Sequence, residues 1–335
     1  MSGAEARMVK AMLCHDLSGP GGMAMGEIRS LPPGPGEMRI GVRAAGVNFP
    51  DLLMSRGQYQ FKPEPPFAPG MEVSGVVLDI GDGVEGFSPG DRVIAWTQSM
   101  YPGFAEETTL PARHVLPTPE GMDDIAAAGF FLTYYTSCNA LIDKARLQPG
   151  EWALVHGAAG GVGLAATQIA RAAGARVIAA VGSAAKAEFM KREGVDAVID
   201  YSHEDIRERV KEITGGRGAD VALDPVGGAA FDASMRCLAP GGRLLIVGFT
   251  SGGIGAARAN IVLIKEISLI GVRAGEHALR HPDRMRAAYA RLTGWFERGL
   301  IAPRIAARFP LDRAAEALSA LENRAAIGKV VVTIE

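Results

Sequence analysis

A glycine run between an apolar strand and a helix is the first feature of this chain that could do chemistry. In Trp152-Ala-Leu-Val-His156-Gly157-Ala-Ala159-Gly160-Gly161-Val162-Gly163-Leu, an apolar stretch enters a Gly-rich turn and then a helical stretch ending near Ala173. Glycines let such a turn close and let its backbone approach a pyrophosphate, whose charge is drawn by the N–H groups and dipole of the helix N-terminus. A glycine triplet alone often marks an ordinary tight turn. This one follows a strand, opens a helix and starts a series of βα units, so Gly157, Ala159, Gly160, Gly161, Val162 and Gly163 are the expected cradle of a dinucleotide.

The end of the next strand bears on which dinucleotide. NAD-preferring sites place Asp or Glu there to bind the ribose 2′-OH, but this strand ends Val181-Gly182-Ser183, with Lys186 following. An uncharged end beside a lysine leaves room for a 2′-phosphate. Gly182, Ser183 and Lys186 therefore point to NADPH, although a solvated helix position is an equally ordinary place for a lysine. Tyr201, after the third strand, can pack beside the adenine or bond the phosphate, or be a half-buried surface tyrosine.

Other chemistry is excluded by spacing. Gly86-Phe87-Ser88-Pro89-Gly90 has the form of a nucleophile elbow, but Pro89 lacks the N–H an oxyanion hole needs and no strand–turn–helix pattern surrounds it. A Tyr-x-x-x-Lys pair, which a short-chain dehydrogenase requires, does not occur. The 6 histidines include no H-E-x-x-H and do not cluster with cysteine at ligand spacing, so no metal is expected. His156, at a strand end, reads as a packed or loop-bonding residue.

These groups must be positioned by two regions of different texture. From Met8 to about Asp124, short alternating stretches such as Met38–Ala44, Met71–Ile80 and Arg92–Ala95 lie between Gly and Pro clusters, a β-rich pattern. An apolar helical stretch, Ile125 to Ala145, follows. Six candidate strands then alternate with helices: Trp152–His156, Arg176–Val181, Ala197–Asp200, Asp220–Asp224, Gly242–Val247 and Ile267–Val272. Continuous apolar runs such as Leu244–Val247 suit parallel strands covered on both faces, so the expected fold is α/β, with a doubly wound parallel six-stranded sheet. Beyond Val272 come a helix around Asp283–Arg298, a strand near Ala306–Phe309, a helix near Arg313–Asn323 and a last strand, Lys329–Ile334. This tail is expected to return to the first domain, giving domains of 1–124 with 273–335, and 125–272.

The bulk numbers agree with two soluble domains. The chain has 335 residues, 48% hydrophobic and 21% charged, and Lys plus Arg number 35 against 37 Asp plus Glu. A net charge of -2 offers no excess to neutralise a nucleic-acid backbone. Cys14, Cys138 and Cys237 lie far apart without a C-x-x-C pair, as core thiols in a reducing compartment would. No apolar run is long enough for a membrane span, and the N-terminus lacks a targeting pattern; a cytoplasmic location is expected.

At this point the residues resemble a known group, the medium-chain dehydrogenase/reductase superfamily in its zinc-independent quinone oxidoreductase branch. The likeness covers essentially the whole chain and rests on Ala45-Gly46-Val47-Asn48-Phe49-Pro50-Asp51, Pro69-Gly70-Met71-Glu72-Val73-Ser74-Gly75-Val76, Gly90-Asp91-Arg92-Val93, Gly103-Phe104-Ala105-Glu106, His156–Gly163, Asp224-Pro225-Val226-Gly227-Gly228 and Gly328-Lys329-Val330. It implies a GroES-like β-rich catalytic domain beside a Rossmann domain, with NADPH along the carboxyl ends of the parallel strands in a cleft between them. Zinc-dependent members carry Cys where this chain has Asn48 and His where it has Met71.

In zinc-free relatives the residues corresponding to Asn48 and Tyr59 line the pocket beside the nicotinamide, and those corresponding to Thr133, Lys186, Tyr201 and Arg324 face the cofactor. A second pocket tyrosine of some relatives falls on Leu53. Asn48 also stands before Pro50 at a helix start, where it could simply cap that helix. The implied activity is hydride transfer from NADPH to a quinone, with Tyr59, alongside the Asn48 amide, as the candidate donor to the developing oxyanion, in a homodimer. The alternatives are reduction of an enone, enoyl thioester or haloacrylate, with Arg273 or Arg56 as a carboxylate partner, and an NADPH-binding protein with little turnover.

Overall fold

The computed structural model describes residues 7–97, 101–324 and 326–334. The chain forms two compact units, Met1–Phe131 with Pro303–Glu335, and Leu132–Ala302.

The first unit begins with an antiparallel hairpin, β1 (Arg7–Cys14) and β2 (Met23–Ser30). There follow β3 (Glu37–Gly46), helix α1 (Phe49–Ser55), β4 (Glu72–Ile80), β5 (Arg92–Trp96), β6 (Glu107–Pro111), β7 (Val115–Pro117) and α2 (Asp124–Ala128). Alternation positions the core: along β3, Met38, Ile40 and Val42 are buried while Arg43 is exposed, as a strand with one covered face requires. Val73 and Val77 of β4, Val93 of β5 and Leu110 of β6 complete that layer.

The apolar stretch expected as a helix over 125–145 is broken. After α2 the chain turns at Gly129–Phe130, then runs on as α3 (Phe131–Cys138) and a π-helical turn at Asn139–Lys144. Gly129 is packed closely enough that a Cβ there would lie 2.9 Å from Cγ of Lys329, a contact no periodicity records.

The second unit is a six-stranded parallel sheet. Its elements are β8 (Trp152–His156), α4 (Gly161–Ala172), β9 (Arg176–Val181), α5 (Ala184–Arg192), β10 (Ala197–Asp200), α6 (Ile206–Ile213), β11 (Ala219–Asp224), α7 (Ala229–Cys237), β12 (Leu238–Ile246), α8 (Ala259–Lys265) and β13 (Ser268–Gly271). The order is β10-β9-β8-β11-β12-β13, every neighbouring pair parallel. The order reverses at β8, so the crevice at its carboxyl end is where such sheets bind ligands. The expected strands β8, β9 and β10 have the observed bounds, whereas β12 starts earlier than Gly242 and β13 is shorter than Ile267–Val272.

Helices α9 (Ala274–Arg280) and α10 (Pro282–Glu297) stay with the second unit. Only β14 (Ile305–Pro310), α11 (Ala314–Glu322) and β15 (Lys329–Thr333) return to the first, where β14 pairs with β15 and β15 runs antiparallel to β3. Among the described residues, no helix is long and apolar enough to cross a membrane.

Candidate active site

The glycine turn follows β8. Gly157 has φ +58°, a left-handed conformation that glycine adopts without strain. The Gly160 N–H donates to the Gly157 carbonyl (2.9 Å) and the Ala158 N–H to the Ala180 carbonyl (3.2 Å), which ties the turn to β9. A Cβ on Gly163 would lie 2.2 Å from the Gly157 oxygen, so α4 can seat on the turn only because that side chain is missing. Ala159 is buried, while Gly160, Gly161 and Val162 are half-buried at the start of α4, where first-turn N–H groups lack intrahelical acceptors. This is an anion cradle built from backbone, and its residues fit a pyrophosphate.

The neighbouring turn, after β9, adds side chains. Ser183 is the N-cap of α5, its hydroxyl accepting from the Lys186 N–H at 3.4 Å, and this places Lys186 in the first turn of that helix. The Tyr201 N–H donates to the Val181 carbonyl at 3.0 Å, and a Cβ on Gly182 would lie 2.8 Å from the Tyr201 hydroxyl oxygen. The tyrosine therefore fills the space an acidic side chain at position 182 would need. Thr133 is buried on α3; the Ser137 hydroxyl lies 2.8 Å from its carbonyl and 3.0 Å from that of Val162, which links this helix to the first turn of α4. Thus the glycine turn, Gly182, Ser183, Lys186 and Tyr201 lie at the carboxyl ends of β8, β9 and β10, and Thr133 lies on the helix that Ser137 ties to α4.

Two polar groups that flank the turn were not candidates. Asp224, at the end of β11, accepts the N–H groups of Val226 and Gly227, both at 2.8 Å, and shapes the adjoining loop. His156 is fully buried with Nε2 2.7 Å from the Ser234 hydroxyl, and burial lowers its pKa, so it is a packed neutral ring.

The other candidates lie in the first unit. Asn48 occupies the N-cap of α1, yet its side chain does more than cap: its Oδ1 accepts from Lys329 Nζ at 2.5 Å and its Nδ2 donates to the Gly46 carbonyl at 3.0 Å. Lys329 Nζ is also 2.6 Å from Oε1 of Glu72, and both side chains are buried. Asp51, fully buried, accepts the Asn48 N–H (2.8 Å) and the Gly70 N–H (3.1 Å). Burial pushes its carboxyl up to about 7, against the pull of those N–H groups and Lys329. Tyr59 is half-buried just past α1, and Arg324 is exposed just past α11 with φ +52°. Arg56 pairs with Glu322 at 2.5 Å, joining the ends of the same two helices.

Comparison with known proteins agrees with this architecture. Residues 34–120 match the alcohol dehydrogenase GroES-like domain family and residues 161–293 the zinc-binding dehydrogenase family. The quinone oxidoreductase-like protein 2 homolog of Nematostella vectensis is 37% identical over 96% of this chain and 88% of its own length. The chain belongs to the medium-chain dehydrogenase/reductase superfamily, in its quinone oxidoreductase branch. Among solved structures, a probable oxidoreductase from Mycobacterium abscessus superposes with a TM-score of 0.89 at 39% identity, covering 98% of this chain and 100% of the other. A mycobacterial protein complexed with NADPH superposes with a TM-score of 0.90 at 33% identity, covering 97% and 99%. As a member of this superfamily the protein is an oxidoreductase that binds a nicotinamide cofactor.

The zinc that gives one of these families its description does not fit the Asn48 cluster. The amide oxygen of Asn48 and the carboxylate of Glu72 are both engaged by the Lys329 ammonium, so a cation already sits on the donors a metal would need. Glu72 and Lys329 were legible only as parts of superfamily motifs. An acid opening the apolar strand β4 and a lone lysine opening the apolar strand β15 are the available signals, and neither names the other.

Removing one partner of a buried pair strands the other charge. Lys329→Met is expected to destabilise the protein by about 3–5 kcal/mol, and adding Glu72→Gln to recover much of that loss. Urea unfolding of both variants checks this, and a single variant as stable as the wild type would contradict the described pairing.

Proposed function

We propose that the protein is a zinc-independent, NADPH-dependent reductase that transfers hydride to a quinone. The observation that carries the cofactor preference is the packing of Tyr201 against Gly182 beside Lys186. That turn has no carboxylate for a ribose 2′-OH and no room for one at position 182, whereas Lys186 supplies a cation for a 2′-phosphate. The NADPH-bound structural relative supports the same choice. The quinone as acceptor rests on the quinone oxidoreductase-like relative.

With its pyrophosphate held at the glycine turn, the reduced cofactor would supply the hydride from its nicotinamide. The chain's residues bind, orient and donate. Gly157, Ala159, Gly160, Gly161, Val162 and Gly163 hold the pyrophosphate; Ser183, Lys186 and Tyr201 hold the 2′-phosphate end; Thr133 and Arg324 are further cofactor contacts. Asn48 and Tyr59 line the acceptor side, where the Tyr59 hydroxyl donates to the oxygen that gains charge as the quinone is reduced. The Lys329 contact fixes the Asn48 amide, whose Nδ2 donates to the Gly46 carbonyl and faces Glu72, so Asn48 shapes the pocket wall and Tyr59 is the donor.

We place the protein in the cytoplasm, which its three separate buried thiols support. We also read it as a homodimer joined along β13. Among the described residues this strand is paired on one side only, and Ile254, Leu263 and Ile264 in the preceding segment are 78%, 78% and 77% exposed. An open edge beside exposed apolar groups is a surface that soluble proteins usually cover. Light scattering during size-exclusion chromatography should give twice the chain mass, and Ile264→Lys should shift the protein toward monomer; a monomeric wild type rejects this assembly.

The function is tested by following NADPH absorbance with matched panels of ortho- and para-quinones, enones and acrylates, with and without chelator. Quinone turnover that survives chelation is expected, with kcat lowered roughly tenfold or more by Tyr59→Phe at little cost to NADPH affinity. Turnover confined to enones or acrylates would move the activity to alkene reduction.

Lys186→Ala should weaken NADPH by roughly tenfold or more, the scale of a lost charge-assisted bond, and leave NADH nearly unchanged. Equal losses with both cofactors would remove Lys186 from the 2′-phosphate site.

A further inference from the structure

Beside the carboxyl end of β13, the second unit holds a cavity of about 290 Å³ lined by Lys144, Arg273, Glu276, His277, Arg280 and His281. Five of these six side chains are basic. Glu276, the single carboxylate, lies 3.7 Å from Arg273 and 2.9 Å from Arg280, so it holds both guanidiniums at the cavity. Lys144 has no ion-pair partner among the described residues. Three permanent cations against one carboxylate leave two uncompensated positive charges, even with both histidines neutral.

His277 is fixed by its surroundings. Its Nδ1 lies 3.1 Å from the Tyr135 hydroxyl and 3.1 Å from Nδ2 of Asn139. These contacts hold the ring at the cavity wall, where an imidazole N–H can donate to a ligand. Burial holds its pKa below the usual imidazole value, and His281, Lys144 and Arg284 push the same way against Asp143. The His281 ring stands 4.7 Å from it.

We propose that this cavity is a second ligand site, selective for a small molecule bearing a phosphoryl group. A dianion balances the two uncompensated charges, whereas a carboxylate would balance one. Its terminal oxygens can also accept from guanidinium, ammonium and imidazole N–H together. The volume is near the lower end of the roughly 300–1,000 Å³ range of small-molecule pockets, which leaves space for a small organic body beside the phosphoryl group. The site uses neither the glycine turn nor Lys186. Its cations lie on α9 and the turns flanking it and at the end of the π-helical turn.

Calorimetric titration of the full-length protein with inorganic phosphate and with glycerol 3-phosphate tests the site, with glycerol and acetate as controls. At least one phosphoryl probe should bind, at least tenfold more weakly in Lys144→Gln and in Arg280→Gln, and undiminished in Lys186→Gln. Both pocket variants alter partly exposed side chains and should melt with the wild type. Tighter binding of glycerol 3-phosphate identifies a phosphate ester as the ligand class, and equal binding identifies phosphate itself. Binding of neither probe, equal binding of acetate, or binding that survives in both pocket variants overturns the proposal.

Discussion

An ammonium ion buried beside a carboxylate is the constraint on which the first unit depends. Taking Lys329 and Glu72 out of water costs several kcal/mol per ion, a cost offset only when the two meet in good geometry and their remaining bonds are made. Here Lys329 Nζ reaches Glu72 on β4 and the Asn48 oxygen at the mouth of α1. Because Lys329 opens β15, that strand must lie against β3 in one register, with Val331 opposite Gly46. The Val47 N–H then bonds the Val330 carbonyl at 2.9 Å, and Asp51 secures the loop at Gly70. One ion pair therefore joins the end of the chain, the second long strand and the helix carrying Asn48.

The second unit rests on backbone where the first rests on charge. Its site is made by the strand-order reversal at β8 and by side chains that are missing: at Gly163 so that the helix can approach the turn, and at Gly182 so that Tyr201 can occupy the gap. A backbone cradle fits any pyrophosphate and discriminates poorly between dinucleotides. The side chains beside it, in the short segment Gly182–Lys186 and at Tyr201, come from consecutive βα units that the sheet sets side by side.

Legibility followed how local each feature is. Strands β8, β9 and β10 were readable to the residue, because their short apolar runs stop at glycine or polar residues. The stretch over 125–145 was not, since its break depends on packing at Gly129 by a side chain from the far end of the chain. Residues 273–302 group with the second unit, where α9 and α10 contact α3 and the π-helical turn through the Tyr135–His277 and Asp143–Arg291 pairs. Nothing in the composition of that segment distinguishes a helix that stays from one that returns.

The sequence by itself determined the α/β class, the glycine cradle, the missing acid after the second strand and the superfamily, because each is carried by neighbouring residues or by motifs of fixed spacing. Only the tertiary structure decided that Asn48 serves Lys329 as well as α1, that Tyr201 fills the space beside Gly182, and that Lys144 joins the basic groups of α9 around one cavity. These are contacts between residues far apart in the chain. Each pairing depends on the register of strands and the seating of helices, which burial of the whole core sets and no local pattern encodes.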